Sequence, residues 1–194
     1  MVPEVWKAVA AKTGIEGLQL TTRDIADYDE LMAHRITTMR EENVTYSGIR
    51  EVISTIDPLP GAVEFLAWAR REFQVAILSD TFYEFGMPLM AKLGDPFLLC
   101  HRLEVADDRI VGYQLRQPDP KSRAVSAFQN LNLKVVAAGD SFNDVGMLEQ
   151  ADIGIFFRAP QAIAEQFPAF EAVEEYTHLQ DRLRSCLTTL EDAK

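Results

Sequence analysis

The sequence predicts an α/β protein in which a doubly wound parallel sheet follows a helical N-terminal segment and includes one β-hairpin. Beyond residue 59, short apolar runs alternate with helical segments, a pattern typical of parallel sheets whose strands are buried on both faces. Residues 3–56 instead show helical periodicity and no convincing strand. We therefore expect a helical domain over residues 1–58 and an α/β core domain over residues 59–194.

Three helices are predicted in the N-terminal segment. The first begins at Pro3, which suits a first helical position, and stops at Gly14. The second runs from about Asp24 to Glu42, where apolar residues recur at three- and four-residue steps, and the third spans Ser47–Ile56. The Pro- and Gly-rich run Asp57–Gly61 then marks the domain boundary.

The core domain is predicted to alternate between helix and strand. Its buried apolar strands are Gln74–Leu78, Phe97–Cys100, Val135–Ala138 and Ile153–Phe156. Its helices include Val63–Arg71, Phe85–Leu93 and Pro120–Leu131. A hairpin is expected where Leu103–Val105 faces Ile110–Leu115 across the turn residues Asp107-Asp108-Arg109.

The composition excludes two classes of partner. The 194 residues include 19 Lys and Arg against 30 Asp and Glu, which gives a formal net charge of -11. That charge repels a nucleic-acid backbone and an anionic membrane, so we expect binding to neither. Cys100 and Cys186 are too few for a disulfide framework, and no apolar run is long enough for a signal peptide or a membrane span. These features favour a protein of the reducing cytoplasm.

Two of the predicted strands end in polar residues, at the position where open α/β sheets bind ligands. One strand is followed by Ser79-Asp80-Thr81, and another by the run from Gly139 to Asp144. Asp140 and Asp144 bring two carboxylates to one strand end, and like charges so close together favour a metal, for which oxygen ligands indicate Mg²⁺. The alternative, for Ser79 above all, is that small polar residues only turn the strand into the next helix and cap it.

Lys121 supplies a positive charge. It follows Pro118-Asp119-Pro120, so we expect it in the first turn of a helix, where the helix dipole disfavours a cation. A base in that place indicates a neighbouring anion. The alternative is a solvated lysine at a helix start.

Ser79, Lys121 and the run Gly139-Asp140-Ser141-Phe142-Asn143-Asp144 resemble, in this order, the last three motifs of the haloacid dehalogenase superfamily. The nearer resemblance is to the phosphoserine phosphatase/homoserine phosphotransferase family, over essentially the whole chain, with Leu78–Phe85 and Gly112–Arg116 as the most distinctive stretches. It implies a haloacid dehalogenase-like fold with a Rossmann-like core, Mg²⁺ as cofactor, and phosphoserine as small-molecule substrate in serine biosynthesis. Water as acceptor gives a phosphatase and homoserine gives a phosphotransferase. The oligomeric state stays open, a homodimer included.

The resemblance also implies roles for individual residues of the core. Ser79 would hydrogen-bond a phosphoryl oxygen, and Lys121 would neutralise charge on the transferring group and the nucleophile. Asp140 would hold Mg²⁺, and Asp144 would support that loop. The substrate-binding residues implied in the core are Ser79, Asp80, Lys121 and Asn143.

The helical segment matches the small cap that such enzymes insert between their first and second motifs. Arg35 lies between Met32 and Met39 on the apolar side of its helix, where a guanidinium needs an acid. By resemblance, Arg35 would bind the substrate carboxylate and Glu4 the amino group. The alternatives are an arginine whose stem packs while its head reaches solvent, and a glutamate placed in a first helical turn by the dipole. We expect Ser79, Lys121 and Asp140 around one cleft that faces Arg35 and Glu4.

The first motif of the family, a central strand that ends in two acidic residues spaced by one, is expected immediately before Val2. It is absent from the sequence, and Asp27-Tyr28-Asp29 has the spacing but a helical, polar context. An internal methionine taken as the start of a longer chain is the simplest account. The 194 residues alone are then expected to be inactive, because the nucleophilic aspartate is missing. Two alternatives stay open: a non-catalytic protein that binds phosphate and amino acid, and a generic receiver-like α/β domain.

Overall fold

The computed structural model describes residues 1–21, 24–25 and 27–192, with side chains described as far as residue 190. The chain forms two compact units, Met1–Arg116 and Gln117–Lys194. The predicted division into a helical cap domain over 1–58 and a core over 59–194 stays a prediction. No helix in the described ranges has the length and apolar character that a bilayer crossing requires.

The first unit combines helices with a mixed three-stranded sheet. Its helices are α1 (Val5–Thr13), α2 (Tyr28–Glu41), α3 (Tyr46–Ser54), α4 (Ala62–Glu72) and α5 (Tyr83–Lys92), with a 3-10 helix over Glu16–Gln19. Its strands are β1 (Ala76–Phe82), β2 (Phe97–Ala106) and β3 (Arg109–Gln114), in the order β1-β2-β3. β1 and β2 pair in parallel, and β2 and β3 form the antiparallel hairpin.

Local chemistry explains where two helices of this unit begin and end. α1 stops because Gly14 adopts a left-handed conformation, with φ of 74°, and donates its backbone N–H to the carbonyl of Ala10. α2 begins at Tyr28, later than the predicted Asp24, because the Asp27 carboxylate accepts the N–H of Glu30 at 2.9 Å and caps the helix. Within the predicted range, Ala26 lies outside the described residues.

The N-cap of α3 is Thr45, whose hydroxyl accepts the N–H of Gly48 at 3.1 Å, and a residue of the hairpin turn adds further capping bonds. The Asp108 carboxylate accepts the backbone N–H of Ser47 at 2.8 Å and the Ser47 hydroxyl at 2.6 Å, and the Asp108 carbonyl accepts the N–H of Tyr46 at 2.8 Å. These bonds satisfy groups at a helix N-terminus that the helix itself cannot pair. The hairpin and α3 therefore belong to one compact unit.

Two predicted strand boundaries were wrong. β1 does not end at Leu78: it continues to Phe82, although its register with β2 is interrupted between Leu78 and Phe82. β2 is one strand of ten residues that includes both the predicted strand Phe97–Cys100 and the predicted hairpin arm Leu103–Val105. The sequence shows apolar runs, but where a strand continues depends on its pairing with neighbours.

The second unit is built on a parallel sheet. Its elements are α6 (Pro120–Asn130), β4 (Val136–Gly139), α7 (Phe142–Gln150), β5 (Ile153–Phe157), α8 (Gln161–Ala164), β6 (Glu171–Val173) and α9 (Tyr176–Asp192). The strands lie in the order β4-β5-β6, with every pair parallel. Leu148, Ile155 and Phe156 are fully buried in its core. The expected α/β fold with parallel strands and a hairpin is confirmed.

Candidate active site

A lysine–carboxylate cluster lies at the carboxyl end of β4 in the second unit. Asp144, in the first turn of α7, is 6% exposed and receives the Lys121 ammonium on Oδ1 at 2.8 Å. Its Oδ2 accepts the backbone N–H groups of Asp140 at 2.9 Å and Ser141 at 3.1 Å, and the Ser141 hydroxyl at 3.0 Å. Asp144 therefore joins α6 to the loop after β4 and fixes the backbone beside Asp140.

The two aspartates of the cluster have opposite pKa shifts. Burial by itself raises the pKa of Asp144, but the charge of Lys121 and the hydrogen bonds from Lys121, Asp140 and Ser141 outweigh burial, so the pKa lies below its ordinary value. Burial, and then the negative charge of Asp144, raise the pKa of Asp140. The surroundings thus stabilise the ionised form of Asp144 and disfavour the ionised form of Asp140.

Gly139 allows the close approach that this cluster needs. A Cβ atom on Gly139 would lie 2.4 Å from the Cβ of Asp144, a separation that packed side chains do not reach. The sequence analysis placed Gly139 and Ser141 in the acidic motif but assigned no role to either residue. A glycine at the end of an apolar strand, directly before an acidic run, is the signal that could have identified the first of them.

The remaining predicted residues of this unit occupy the expected positions on their elements. Lys121 lies in the first turn of α6, as predicted, and follows Asp119, whose φ of 45° is in the left-handed region. The predicted anion beside Lys121 is Asp144. Asn143 is exposed on the first turn of α7, and Asp140 is exposed in the loop after β4.

In the first unit, Ser79 and Asp80 lie within β1 rather than after it, at the interruption of its register. The Ser79 hydroxyl accepts the backbone N–H of Thr81 at 3.3 Å. The Asp80 carbonyl accepts the hydroxyl of Tyr28, from the start of α2, at 3.4 Å. Burial, the largest cause, and the charge of Asp80 raise the pKa of Tyr28, against the lowering effect of Arg35. The Tyr28 hydroxyl is therefore close enough to both predicted residues, Asp80 and Arg35, to interact with their charges.

Arg35 is 4% exposed, so its guanidinium does not reach solvent, and the alternative of a solvated head is wrong. Nη2 donates to the Leu20 carbonyl at 2.7 Å, and Nη1 lies 3.8 Å from the Met32 sulfur. The guanidinium carbon lies 4.6 Å from the centre of the Trp6 ring. Nε has no hydrogen-bond partner among the described residues. The described contacts of this buried cation are thus with uncharged groups.

Burial lowers the pKa of Arg35 to about 10, against the raising effects of Tyr28 and Glu4. Glu4 occupies the N-cap position of α1 without a side-chain capping bond, is exposed, and forms an ion pair with Lys7 at 2.8 Å. Glu4 is therefore available to a ligand and lies close enough to Arg35 for their charges to interact. The first unit brings Glu4 and Arg35 into one electrostatic neighbourhood, and the second unit brings together Lys121, Asp140 and Asp144.

A protein-built metal cage is not found in the described part of the chain, where no group of three or more His, Cys, Asp or Glu side chains is arranged to hold an ion. Mg²⁺ does not require one, because it usually keeps several waters and binds through one or two carboxylates together with substrate phosphate. The exposed Asp140 carboxylate, with its raised pKa, is an oxygen donor that a cation would stabilise.

Comparisons with known proteins agree with this architecture. Residues 3–152 match the family described as haloacid dehalogenase-like hydrolase. The chain is 56% identical over 181 residues to phosphoserine phosphatase ThrH of Pseudomonas aeruginosa, covering 93% of this chain and 88% of that protein. It is 55% identical over 181 residues to a phosphoserine phosphatase of Pseudomonas syringae pv. tomato, covering 93% of this chain and 76% of that protein.

Solved structures with low sequence identity share the fold. A phosphoserine phosphatase in apo form aligns with a TM-score of 0.74 at 20% identity, over 91% of this chain and 89% of that one. A substrate-bound phosphoserine phosphatase complex aligns with a TM-score of 0.72 at 21% identity, over 95% of this chain and 92% of that one.

Proposed function

Because the chain belongs to the haloacid dehalogenase-like hydrolases and, within them, to the phosphoserine phosphatase family, we propose that it serves the hydrolysis of phosphoserine to serine and phosphate. The observation that carries the choice of substrate is Arg35, a buried guanidinium whose described contacts are with uncharged groups. A buried charge is costly unless an opposite charge accompanies it, and the carboxylate of phosphoserine supplies one. The proposal includes a cytoplasmic role in serine biosynthesis.

The residues of the second unit are assigned to the phosphoryl group. Lys121 neutralises charge that develops on the transferring group, and Asp144 holds the Lys121 ammonium in place. Asp144 also fixes the backbone at Asp140 and Ser141, so that the Asp140 carboxylate keeps its direction. Asn143, exposed on the same helical turn, is assigned to the phosphate side of the substrate.

Asp140 is the residue that would hold Mg²⁺, since its carboxylate is accessible from solvent and its pKa is raised by desolvation and by the charge of Asp144. When bound, the metal supplies Lewis-acid stabilisation of the phosphoryl oxygens. Without a cation, Asp140 and Asp144 repel each other across the loop.

The residues of the first unit are assigned to recognition of the substrate. Arg35 pairs the carboxylate of phosphoserine, and Glu4, exposed at the start of α1, meets the ammonium group. Ser79 and Asp80 are assigned to the substrate at the interruption of β1, with the Ser79 hydroxyl donating to a phosphoryl oxygen.

In the proposed chemistry a carboxylate attacks phosphorus, the bond from phosphorus to the serine oxygen breaks, and serine leaves with a proton. Water then attacks the acyl phosphate, which releases phosphate and regenerates the carboxylate. An alcohol such as homoserine in place of water gives phosphoryl transfer. No Asp-x-Asp or Asp-x-Glu pair follows an apolar strand in the sequence, so we propose that these residues alone do not provide the nucleophile.

We expect no Mg²⁺-dependent release of phosphate from phosphoserine by the 194 residues alone. An extended protein, in which an apolar strand ending in two acidic residues spaced by one precedes Val2, should show turnover. Phosphate and serine are both measured, because serine without phosphate in the presence of homoserine indicates transfer. Equal rates for the two proteins would contradict the missing nucleophile. Phosphoserine binding by the extended protein without turnover would favour a non-catalytic binding protein.

Replacement of Arg35 by alanine in the extended protein should reduce kcat/KM for phosphoserine roughly 10- to 150-fold. This factor corresponds to a loss of about 1.5–3 kcal/mol in transition-state binding, because a charge-assisted contact is removed. Hydrolysis of phosphoethanolamine, which lacks the carboxylate, should change little. Kinetics on both esters provide the test, with Arg40→Ala, on the same helix and exposed, as the control variant. Equal losses on the two esters would mean that Arg35 supports the fold.

A further inference from the structure

Trp6 lies against Arg35 and was not singled out from the sequence. It is 8% exposed on α1, and its ring packs edge-on against Phe85, with 5.4 Å between ring centroids and an interplanar angle of 79°. Phe85 is fully buried in α5. The Arg35 guanidinium carbon lies 4.6 Å from the centre of the Trp6 ring. Packing against the buried Phe85 thus fixes the indole of Trp6, and the indole in turn contacts the Arg35 guanidinium.

Support by an aromatic face constrains a guanidinium strongly, because the guanidinium is planar and donates its hydrogen bonds in that plane. Bidentate recognition of a carboxylate requires two of these N–H groups to point at the two oxygens together. The other described contacts of Arg35 involve only Nη1 and Nη2, with the Met32 sulfur and the Leu20 carbonyl, while Nε lacks a partner among the described residues. Hydrogen-bonding capacity remains for an anion, and its direction follows the guanidinium plane.

Trp6 also links the two proposed recognition groups. Glu4 precedes Trp6 by two residues, at the N-cap of the same helix, and its charge acts on Arg35. A displacement of Trp6 would therefore change the position of the guanidinium relative to the carboxylate at the start of α1. A leaving group with both an ammonium and a carboxylate is sensitive to that spacing.

We propose that Trp6 is a positioning residue that fixes the Arg35 guanidinium plane and so sets the preference for phosphate esters whose leaving group carries a carboxylate. This inference rests on the proposed function, in which Arg35 binds that carboxylate. Trp6 itself touches Arg35 and Phe85, and it acts on the substrate only through Arg35.

The test uses binding to the 194-residue chain, so its result does not depend on the nucleophile. Isothermal titration compares O-phosphoserine with O-phosphoethanolamine, and the ratio of the two affinities measures recognition of the carboxylate. Trp6→Leu, which keeps apolar bulk without an aromatic face, should lower that ratio roughly tenfold or more. Trp6→Phe should lie between Trp6→Leu and the parent. Trp68→Phe is the matched control, because Trp68 is equally buried and contacts Phe65 and Phe73, and it should leave the ratio unchanged.

A spectroscopic measurement keeps the inference testable if Trp6→Leu does not fold. The chain has two tryptophans, so Trp6 is the only one in the Trp68→Phe variant. Its emission should change on binding of phosphoserine and change less with phosphoethanolamine, because only the carboxylate acts on the cation above the ring. Equal responses to the two ligands would overturn the role of Trp6.

The outcomes also separate this inference from the proposed function. If Arg35→Ala lowers the affinity ratio and both Trp6 variants retain it, Trp6 is not the positioning residue and the proposed function stands. If Arg35→Ala also leaves the ratio unchanged, the assignment of Arg35 fails and this inference fails with it.

Discussion

Replacing Asp144 by alanine should lower the free energy of unfolding of the second unit by about 3–5 kcal/mol, because the change removes the carboxylate of a buried ion pair. The side chain of Lys121 is 11% exposed and that of Asp144 9%, so water cannot replace the lost interaction fully. The same substitution removes the acceptor of two backbone N–H groups and one hydroxyl. Urea denaturation of the 194-residue chain gives the measurement, and turnover of the extended protein should be lost.

Asp152 provides a matched control for this substitution. It also accepts several hydrogen bonds, from Lys134, Gln129 and the backbone of Val135, but its side chain is 18% exposed, twice the 9% of Asp144, and that of its partner Lys134 is 55% exposed. An ion pair whose cation is open to solvent contributes little, so Asp152→Ala should cost about 1 kcal/mol, well below the cost of Asp144→Ala. A loss for Asp144→Ala no greater than for Asp152→Ala would contradict the central role of the buried pair.

The cost of Asp144→Ala should also depend on pH. The pKa of Asp144 in the folded chain is below the ordinary value of 3.8, so the ionised carboxylate contributes stability that is fully present above that value. This contribution is lost as the pH falls through the lowered pKa of the folded state. The difference between the parent and Asp144→Ala should therefore shrink in strong acid. A difference that stays constant down to the acid transition would contradict this account.

Asp140→Asn should have the opposite effect on stability and abolish Mg²⁺-dependent turnover of the extended protein. The pKa of Asp140 is raised by burial and by Asp144, so its ionised form destabilises the fold once the pH rises above the ordinary value of 3.8. The cost is complete above the raised pKa, and an uncharged amide removes it. Without Mg²⁺, the thermal midpoint of Asp140→Asn should therefore exceed that of the parent at neutral pH.

Addition of Mg²⁺ should raise the thermal midpoint of the parent above that of Asp140→Asn. Binding to the folded parent at a hundred times the dissociation constant stabilises it by about 2.7 kcal/mol, whereas Asp140→Asn should respond weakly. Asp152→Asn is the control, in which the effect on stability should have the opposite sign. The Asp152 carboxylate has a lowered pKa, so this variant should be less stable than the parent. Its stabilisation by Mg²⁺ should equal that of the parent. A full Mg²⁺ response in Asp140→Asn would remove Asp140 from the metal site.

The sequence was sufficient for features that depend on local pattern and on the geometry of strand ends. Lys121 was placed in the first helical turn beside an anion, and that anion is Asp144 on the next strand end along the chain. This inference succeeds because a cation in the first turn of a helix opposes the helix dipole, so that a nearby anion is needed to compensate it. The spacing of apolar residues likewise placed Arg35 on the apolar side of its helix, and the structure shows that it is buried there.

Features that depend on distant contacts were not predictable in the same way. Arg35 was expected to require an acid, but its described neighbours are a carbonyl, a sulfur and the ring of Trp6 from another helix. Periodicity shows which side of a helix is buried and does not show what covers that side. The continuation of β1 past Ser79 likewise depends on pairing with β2, where Phe82 meets His101.

The capping of α3 by Asp108 sets an order of events during synthesis. Ser47 leaves the ribosome 61 residues before the carboxylate that accepts its N–H and its hydroxyl. At about 5–20 residues per second, that separation amounts to roughly 3–12 s of translation. Until then the N–H groups of Tyr46 and Ser47 lack their Asp108 acceptors, although Thr45 can already accept the N–H of Gly48, and this nine-residue helix is too short to be stable alone. The nascent N-terminal segment should therefore complete its folding only after the hairpin turn has emerged.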